Sequence, residues 1–317
     1  MLKTDEHYMY EALKLAVKGG RNVAPNPMVG AVIVKSGRII GRGYHHQFGG
    51  AHAEAEAIRS VKNPALLPGS TLYVTLEPCR HYGKTPPCSD LIASVGIEDV
   101  VVGSEDPMQH KFRIQDSGFR MEFVSGKVAE ECKELNKFFF TWITKKRPYI
   151  TVKIAMSADG FVAGEHGQPV HFTSQKQDRY VHQLRAQHQA ILVGIHTVLN
   201  DDPALTVRLA EGADPLRIVL DSQFRIPRNA KVLKDANHLI ATTKKRVERG
   251  MNIWVSPTKK QVSFKKLFTY LATQGISSVL VEPGPTLYRA LKVQGLIDEM
   301  IVLTGKKKIK KGLRLLP

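Results

Sequence analysis

Twice along this chain, short β-branched runs alternate with helical segments, and this double alternation restricts the fold more than any other feature. In the first half, "DEHYMYEALKLAV" spaces its apolar side chains at helical intervals, opens with acids and is followed by Gly19 and Gly20. "MVGAVIV" and "RIIGRGYH" flank Ser36-Gly37 and predict a two-stranded hairpin. "AHAEAEAIRSV" is helical in composition, "TLYVTLEP" is a strand that stops at Pro78, and a helix follows Cys88. The strand "DVVVGSEDP" and a helix across residues 127–143 complete the unit. Pro148, within the charged stretch "TKKRPYI", puts a boundary near residue 146 and divides the chain into domains 1–146 and 147–317.

The second half restarts the alternation. "YITVKIAMS" and "AILVGIHTV" predict strands around a helix holding "SQKQDRYVHQLRA", and "LRIVLDS", "HLIATT" and "NIWVS" predict three more. A helix at "FKKLFTYLATQG", the strand "SVLVEPGPT", a helix at "LYRALKVQG" and the strand "EMIVLTG" follow. The expectation is an α/β chain whose second half is a doubly wound, mostly parallel sheet. At 317 residues there is enough chain for two cores.

Charge divides along the same boundary. Residues 1–146 carry 19 Lys/Arg against 16 Asp/Glu, whereas residues 147–317 carry 27 against 13, so nearly all of the +17 lies in the second half. Such a half suits phosphorylated small molecules, an acidic surface or nucleic acid; the plain alternative is a solvated lysine-rich face. No apolar run reaches bilayer length, and the first thirty residues contain acids, which predicts neither signal peptide nor membrane span. Three cysteines, an odd number, point to a reducing cytoplasm and weaken a disulfide reading of any pair.

Two of those cysteines bracket "CRHYGKTPPC", residues 79–88, and "HAEAEAI" precedes them. Neutral imidazole and thiolate are the donors zinc favours, so His52, Cys79 and Cys88 make a three-ligand set with a fourth position left for water. Glu54, two residues from His52, is placed to shuttle the proton of that water to a leaving amine. The H-x-E…P-C pattern is that of zinc deaminases. Either cysteine alone would read as a small buried hydrophobe, and it is the combination that favours metal.

Nucleic-acid and nucleoside deaminases usually separate their cysteines by two residues; eight intervene here. "APNPMVGAVIV", "GRGYHHQFGGAHAEAEAI" and "TLYVTLEPCRHYGKTPPCSDLI" resemble the N-terminal domain of the bifunctional riboflavin-biosynthesis deaminase-reductases. "ITVKIAMSADG", "LRAQHQAILVGIHTVLNDDPALTVR" and "LRIVLDSQFRIP" resemble the C-terminal reductase of the same family. The resemblance implies a cytidine-deaminase-like zinc domain followed by a dihydrofolate-reductase-like domain. It implies hydrolytic deamination of 2,5-diamino-6-(ribosylamino)-pyrimidinone 5′-phosphate, then reduction of the ribosyl group to a ribityl chain by NADPH. Carried over, Asn26, His45, His81 and Lys84 would line the deaminase pocket, with turn chemistry or solvated polarity as their plain alternative. On the reductase side, Lys153, Arg185, Leu205, Arg208 and Glu282 would meet substrate, although Lys153 and Glu282 also read as a structural ion pair. Ala155, Thr173, Thr197, Asp201, Ser222 and the segment from Gly284 through Pro285 and Thr286 to Ala290 would meet the cofactor. "PGPT" by itself reads as a turn; opening a helix after a strand, it suits a phosphate.

The family pattern is not followed everywhere. Met108-Gln109-His110-Lys111 replaces the usual loop after Asp106-Pro107, Pro169 stands for a small polar residue, and His171-Phe172 stands where Trp-Ile is usual. "TGKKKIKKG" replaces the family's Ala-Pro-Lys-Leu-Leu-Gly, and the resemblance implies closing strands beyond residue 317. These changes bear on the reductase more than on the zinc set. The resemblance also implies a homo-oligomer acting on a phosphorylated pyrimidine, with no membrane partner. Against it stand a deaminase that binds nucleic acid through its basic half, and a homologue that keeps only the first step or a binding role. Wide cysteine spacing and the lack of interleaved aromatics disfavour nucleic acid.

Overall fold

Two strand glycines of the first half let helices rest directly on strand backbone. The computed structural model describes residues 3–80, 82, 86–108 and 118–315, and the chain divides into two compact units, Met1–Lys145 and Lys146–Pro317. In the first, α1 (Lys3–Ala16) leads to the hairpin β1 (Gly30–Lys35) and β2 (Arg38–Tyr44). Then follow α2 (Ala53–Arg59), β3 (Thr71–Val74), α3 (Cys88–Ser94), β4 (Asp99–Val102), β5 (Arg120–Phe123), α4 (Lys127–Leu135) and α5 (Lys137–Lys145). The sheet order is β2-β1-β3-β4-β5, antiparallel across its first three strands and parallel across its last three. Alternation sorts the side chains: Ala31, Ile33, Leu72 and Val74 pack with Ala53, Ala57 and Ile92 of α2 and α3. Val32, Val34, Tyr73 and Val101 turn the other way, towards Met9 and Ala12 of α1 and Val128 of α4. A Cβ on Gly30 would lie 2.0 Å from the Ala12 carbonyl oxygen, and one on Gly43 would lie 2.3 Å from that of Ala53, so both helices ride on bare backbone.

Two expectations are revised in this unit. The strand stops at Val74 rather than Pro78, and the single helix over 127–143 is two helices, broken at Asn136. Asn136 is buried, and its amide takes both backbone groups of Met28: the Met28 N–H donates to Oδ1 at 2.8 Å, and Nδ2 donates to the Met28 carbonyl at 3.0 Å. A side chain committed to distant backbone is a reason for the helix to restart rather than continue. β5, Arg-Met-Glu-Phe, alternates polar and apolar residues over only four positions, three of them exposed, and was not among the expected strands.

The second unit contains β6 (Tyr149–Met156), β7 (Phe161–Ala163), α6 (Gln175–Gln187), β8 (Ala190–Gly194), α7 (Ile195–Asp201) and β9 (Leu216–Leu220). Then follow β10 (His238–Thr242), β11 (Ile253–Val255), α8 (Phe264–Thr273), β12 (Ser278–Val281), α9 (Pro285–Val293), β13 (Glu299–Thr304) and the short β14 (Leu313–Arg314). Seven strands in the order β11-β10-β9-β8-β12-β6-β13 make one sheet, every pair parallel. Ile150, Val152, Leu192 and Val281 pack on α8 and α9, while Ile191, Val193, Val219 and Leu280 pack beside Leu184 and Val198 of α6 and α7. The sheet is thus covered on both faces, as a parallel sheet requires. The stretch "AILVGIHTV" is a strand only to Gly194, where extended backbone caps α7. The lysine-rich stretch after β13 is pinned: Asp159 accepts from the amides of Ile309 (3.3 Å) and Lys310 (2.8 Å). The Ser157 hydroxyl and these amides hold Asp159 at about 2.

Candidate active sites

The first unit gathers the donors that zinc favours at the starts of two helices. His52 is the extended N-cap of α2, and Cys88 is the first residue of α3, which the turn through Pro87 leads into. His52 Nδ1 lies 3.3 Å from Cys88 Sγ and 3.5 Å from Cys79 Sγ, and all three donor atoms lie within 4.8 Å of one another. A tetrahedral zinc with ordinary Zn–N and Zn–S bonds spaces such donors about 3.6 Å apart. The residues fit the ion. The three cysteines are free. The thiol of Cys88, the imidazole of His52 and the Cys88 amide, 3.3 Å from Cys79 Sγ, all favour the charged form of Cys79 and push its pKa well down. Cys79 in turn raises His52.

Glu54, one residue into α2, is 3% exposed. Burial pushes its carboxyl up to about 7, against the opposing pull of His52. A carboxyl poised there can both accept and return a proton near neutrality. It borders a cavity of about 270 Å³ that His52, Cys79, Asn26 and His45 also line. His45 is buried, and burial lowers its pKa, so the ring is neutral. Its Nδ1 lies 2.8 Å from the Ala51 carbonyl, which can only accept; Nδ1 therefore carries the proton and Nε2 is bare. Asn26 Nδ2 donates to that Nε2 at 3.1 Å, which turns Asn26 Oδ1 into the group offered to a ligand. Of the remaining pocket residues expected from sequence, His81 and Lys84 lie outside the described residues, as does the loop from Gln109 onward.

In the second unit a charged cluster forms where β12 enters between β8 and β6. Glu282, just past β12, accepts from Lys153 of β6 at 3.1 Å and from Arg185 of α6 at 3.0 Å. Burial pushes the Glu282 carboxyl up, but the two cations more than reverse this and hold it at about 2. Arg185 also donates to the Thr206 carbonyl, and Arg208 donates to the Thr206 hydroxyl at 2.8 Å, so the two arginines meet at Thr206 while Lys153 and Arg185 pair with the carboxylate. Leu205 beside them is buried with a left-handed φ of 54°. Ala155 is the last but one residue of β6, Thr197 and Asp201 sit on α7 after β8, Ser222 follows β9, and Gly284 caps α9 with Pro285 and Thr286 behind it. Ala155, Ser222 and Gly284 lie at or just past the carboxyl ends of parallel strands, where open α/β sheets bind ligands, and Thr197 and Asp201 lie on the helix that follows one such end. Thr173 reaches the same rim: its hydroxyl donates to Asp178 at 2.5 Å, and Gln177 donates to the carbonyl of Thr304 at the end of β13.

The comparisons with known proteins agree with this geometry. Residues 2–104 match the cytidine and deoxycytidylate deaminase zinc-binding region, and residues 148–307 match the RibD C-terminal domain. The riboflavin biosynthesis protein RibD of Aquifex aeolicus is 39% identical over 98% of this chain and 89% of its own length. That of Escherichia coli is 39% identical over 96% and 88%. This chain belongs to the RibD family. A crystal structure of a diaminohydroxyphosphoribosylaminopyrimidine deaminase/5-amino-6-(5-phosphoribosylamino)uracil reductase from Thermotoga maritima is 38% identical, with a TM-score of 0.87 over 98% of this chain and 89% of its own. RibD of Acinetobacter baumannii superposes with the same TM-score at 32% identity, covering 99% and 90%.

As a RibD-family member the protein is a bifunctional deaminase and reductase of riboflavin biosynthesis, with a zinc-binding first domain. Its cavity contains side chains that sequence reasoning passed over. Glu77 lines it and joins two loops: Arg80 donates to its Oε1 at 2.9 Å, and the Asp106 amide donates to its Oε2 at 3.2 Å. Phe139, Trp142 and Ile143 of α5 line it as well. Their i, i+3, i+4 spacing was legible as one helical face, but nothing in the sequence said that this face looks onto a site more than fifty residues away.

Proposed function

We propose that residues 1–146 hydrolyse the ring amino group of 2,5-diamino-6-(ribosylamino)-pyrimidinone 5′-phosphate and that residues 147–317 use NADPH to reduce the ribosyl group of the product. The observation that carries the first step is the convergence of His52, Cys79 and Cys88 beside buried Glu54. Zinc held by these three donors would lower the pKa of a water towards neutrality. Glu54 takes a proton as water adds to the amino-bearing ring carbon, then delivers it to the amine, so that C–NH₂ and H₂O become C=O and NH₃. Asn26 Oδ1, fixed by His45, orients the substrate, and His81 and Lys84 are proposed to meet its phosphate end.

For the second step, opening of the ribosylamine exposes an electrophilic carbon that accepts hydride from the cofactor. Lys153, Arg185 and Arg208, only partly balanced by Glu282, supply net positive charge for the substrate phosphate. Leu205 packs against the substrate, while Ala155, Thr173, Thr197, Asp201, Ser222 and the N-terminus of α9 from Gly284 face the cofactor. The reading places the enzyme in a reducing cytoplasm as a homo-oligomer, supported by its free thiols and by the resemblance. Zinc analysis with activity tests the first step: the protein should bind one zinc, and Cys79→Ser should lose both zinc and ammonia release. Full deamination by metal-free protein would overturn it.

A further inference from the structure

We propose that His182 is a positioning residue for the reduction step: its Nδ1 holds the backbone of Arg208 and so aims that arginine at the substrate phosphate; this rests on the reductase reading above. The segment from Leu205 to Arg208 lies between α7 and β9 and belongs to no helix or strand. Leu205 takes a left-handed φ of 54°, which L side chains rarely adopt, and the Arg208 side chain is exposed. Intrinsic preference and burial therefore do little to fix Arg208, and hydrogen bonds from outside the segment must do so. Three consecutive backbone groups are held. The Thr206 carbonyl accepts from Arg185 at 3.3 Å, the Val207 amide donates to Asp214 at 2.7 Å, and the Arg208 amide donates to His182 Nδ1 at 2.9 Å.

His182 is buried on α6, one turn before Arg185, so the two side chains share a helical face. Burial lowers its pKa, and Arg185 and Arg208 act the same way against Glu282 and Asp178, so the ring is neutral. A backbone amide can only donate; Nδ1 is therefore the acceptor, and the ring proton sits on Nε2. Arg185, for its part, grips Glu282 with Nε at 3.0 Å and Nη2 at 2.9 Å. One face of α6 thus ties the Arg208 segment to the carboxylate that also holds Lys153. The Arg208 guanidinium is steadied at 2.8 Å by the hydroxyl of Thr206, a buried residue of the same pinned stretch. With the Nδ1 acceptor gone, the Arg208 amide loses its partner and the arginine its direction, while Lys153, Arg185 and Glu282 keep one another. The loss falls on substrate binding rather than on hydride transfer.

Full-length protein supplied with NADPH and the deaminated ribosylamino phosphate provides the test. His182→Leu removes the acceptor and should raise KM for the deaminated intermediate about tenfold, with kcat within about threefold and KM for NADPH within about twofold. His182→Asn puts an amide oxygen where Nδ1 stood and should restore most of the affinity. His182→Gln is of similar size and polarity but carries its oxygen near the position of Nε2, and should behave like His182→Leu. A histidine that only filled space would shift both KM values and thermal stability together, and would not separate His182→Asn from His182→Gln. An unchanged KM for the intermediate in His182→Leu, or equal KM values in His182→Asn and His182→Gln, overturns the proposal. If His182→Leu does not fold, the other two variants decide the matter. No NADPH oxidation and no calorimetric binding of the intermediate by the unsubstituted protein would overturn the reductase reading itself, and the proposal with it.

Discussion

Gly43→Ala adds one methyl group at a residue that does not line the cavity, yet it should damage catalysis more than stability. A Cβ at this position meets the Ala53 carbonyl oxygen and the Ala57 nitrogen, each at 2.3 Å, where ordinary contact begins near 3.4 Å. Both obstacles are backbone of α2, so no side chain can swing aside, and the helix must retreat by about 1 Å. Overpacking of this kind costs about 1–3 kcal/mol, which at an m-value of about 2 kcal/mol per molar urea shifts the midpoint by about 1 M. α2 carries His52 at its cap and Glu54 in its first turn, so both move with it. A displacement of about 1 Å in catalytic groups costs about a hundredfold in rate. Ammonia release, zinc content and urea unfolding followed at Trp142 in a Trp254→Phe background measure all three effects. Gly37→Ala is the control: its φ of 74° strains the hairpin turn, but nothing lies within 4 Å, and the deaminase rate should hold. A Gly43→Ala enzyme with parental midpoint and rate would refute the idea that bare backbone at β2 positions the site.

Two more outcomes follow from single side chains. Asn136→Ala removes both bonds to Met28 and should cost about 2 kcal/mol while raising KM for deamination, because Asn26 sits in the same segment; urea unfolding and steady-state kinetics check it. Glu282 has a folded-state pKa of about 2, below its ordinary 4.5, so the unfolded chain binds that proton first as pH falls. The stability it contributes is full above about pH 4.5 and is lost towards pH 2. Acid unfolding of Glu282→Gln should therefore be flatter through that window than that of the parent, and an unchanged profile would contradict the pairing with Lys153 and Arg185.

The two alternations were legible because buried strands must be apolar and helices must be periodic, and the zinc set was legible because His52, Cys79 and Cys88 sit in short local motifs. What escaped was set by tertiary context. The break at Asn136 depends on a backbone partner 108 residues away, and β5 is an edge strand of four residues, too short for its Arg-Met-Glu-Phe alternation to stand out. Strand propensity carried "AILVGIHTV" past Gly194, whereas extended backbone at that glycine starts α7. Glu77, Phe139 and Trp142 reached the cavity only through folding, so their sequence neighbourhoods gave no sign of it. In the second unit, Lys153 and Glu282 were expected either as substrate contacts or as an ion pair. The ion pair forms, shared with Arg185, and the substrate contact belongs to the proposed function.

A single coupled assay tests the central claim most directly: ammonia release and NADPH absorbance followed together in one sample of zinc-loaded protein supplied with the diaminopyrimidine phosphate. The account predicts ammonia first and NADPH oxidation after it. Glu54→Gln should retain its zinc, lose ammonia release by at least about a hundredfold, and still oxidise NADPH when given the deaminated intermediate. Normal deamination by Glu54→Gln would contradict the account.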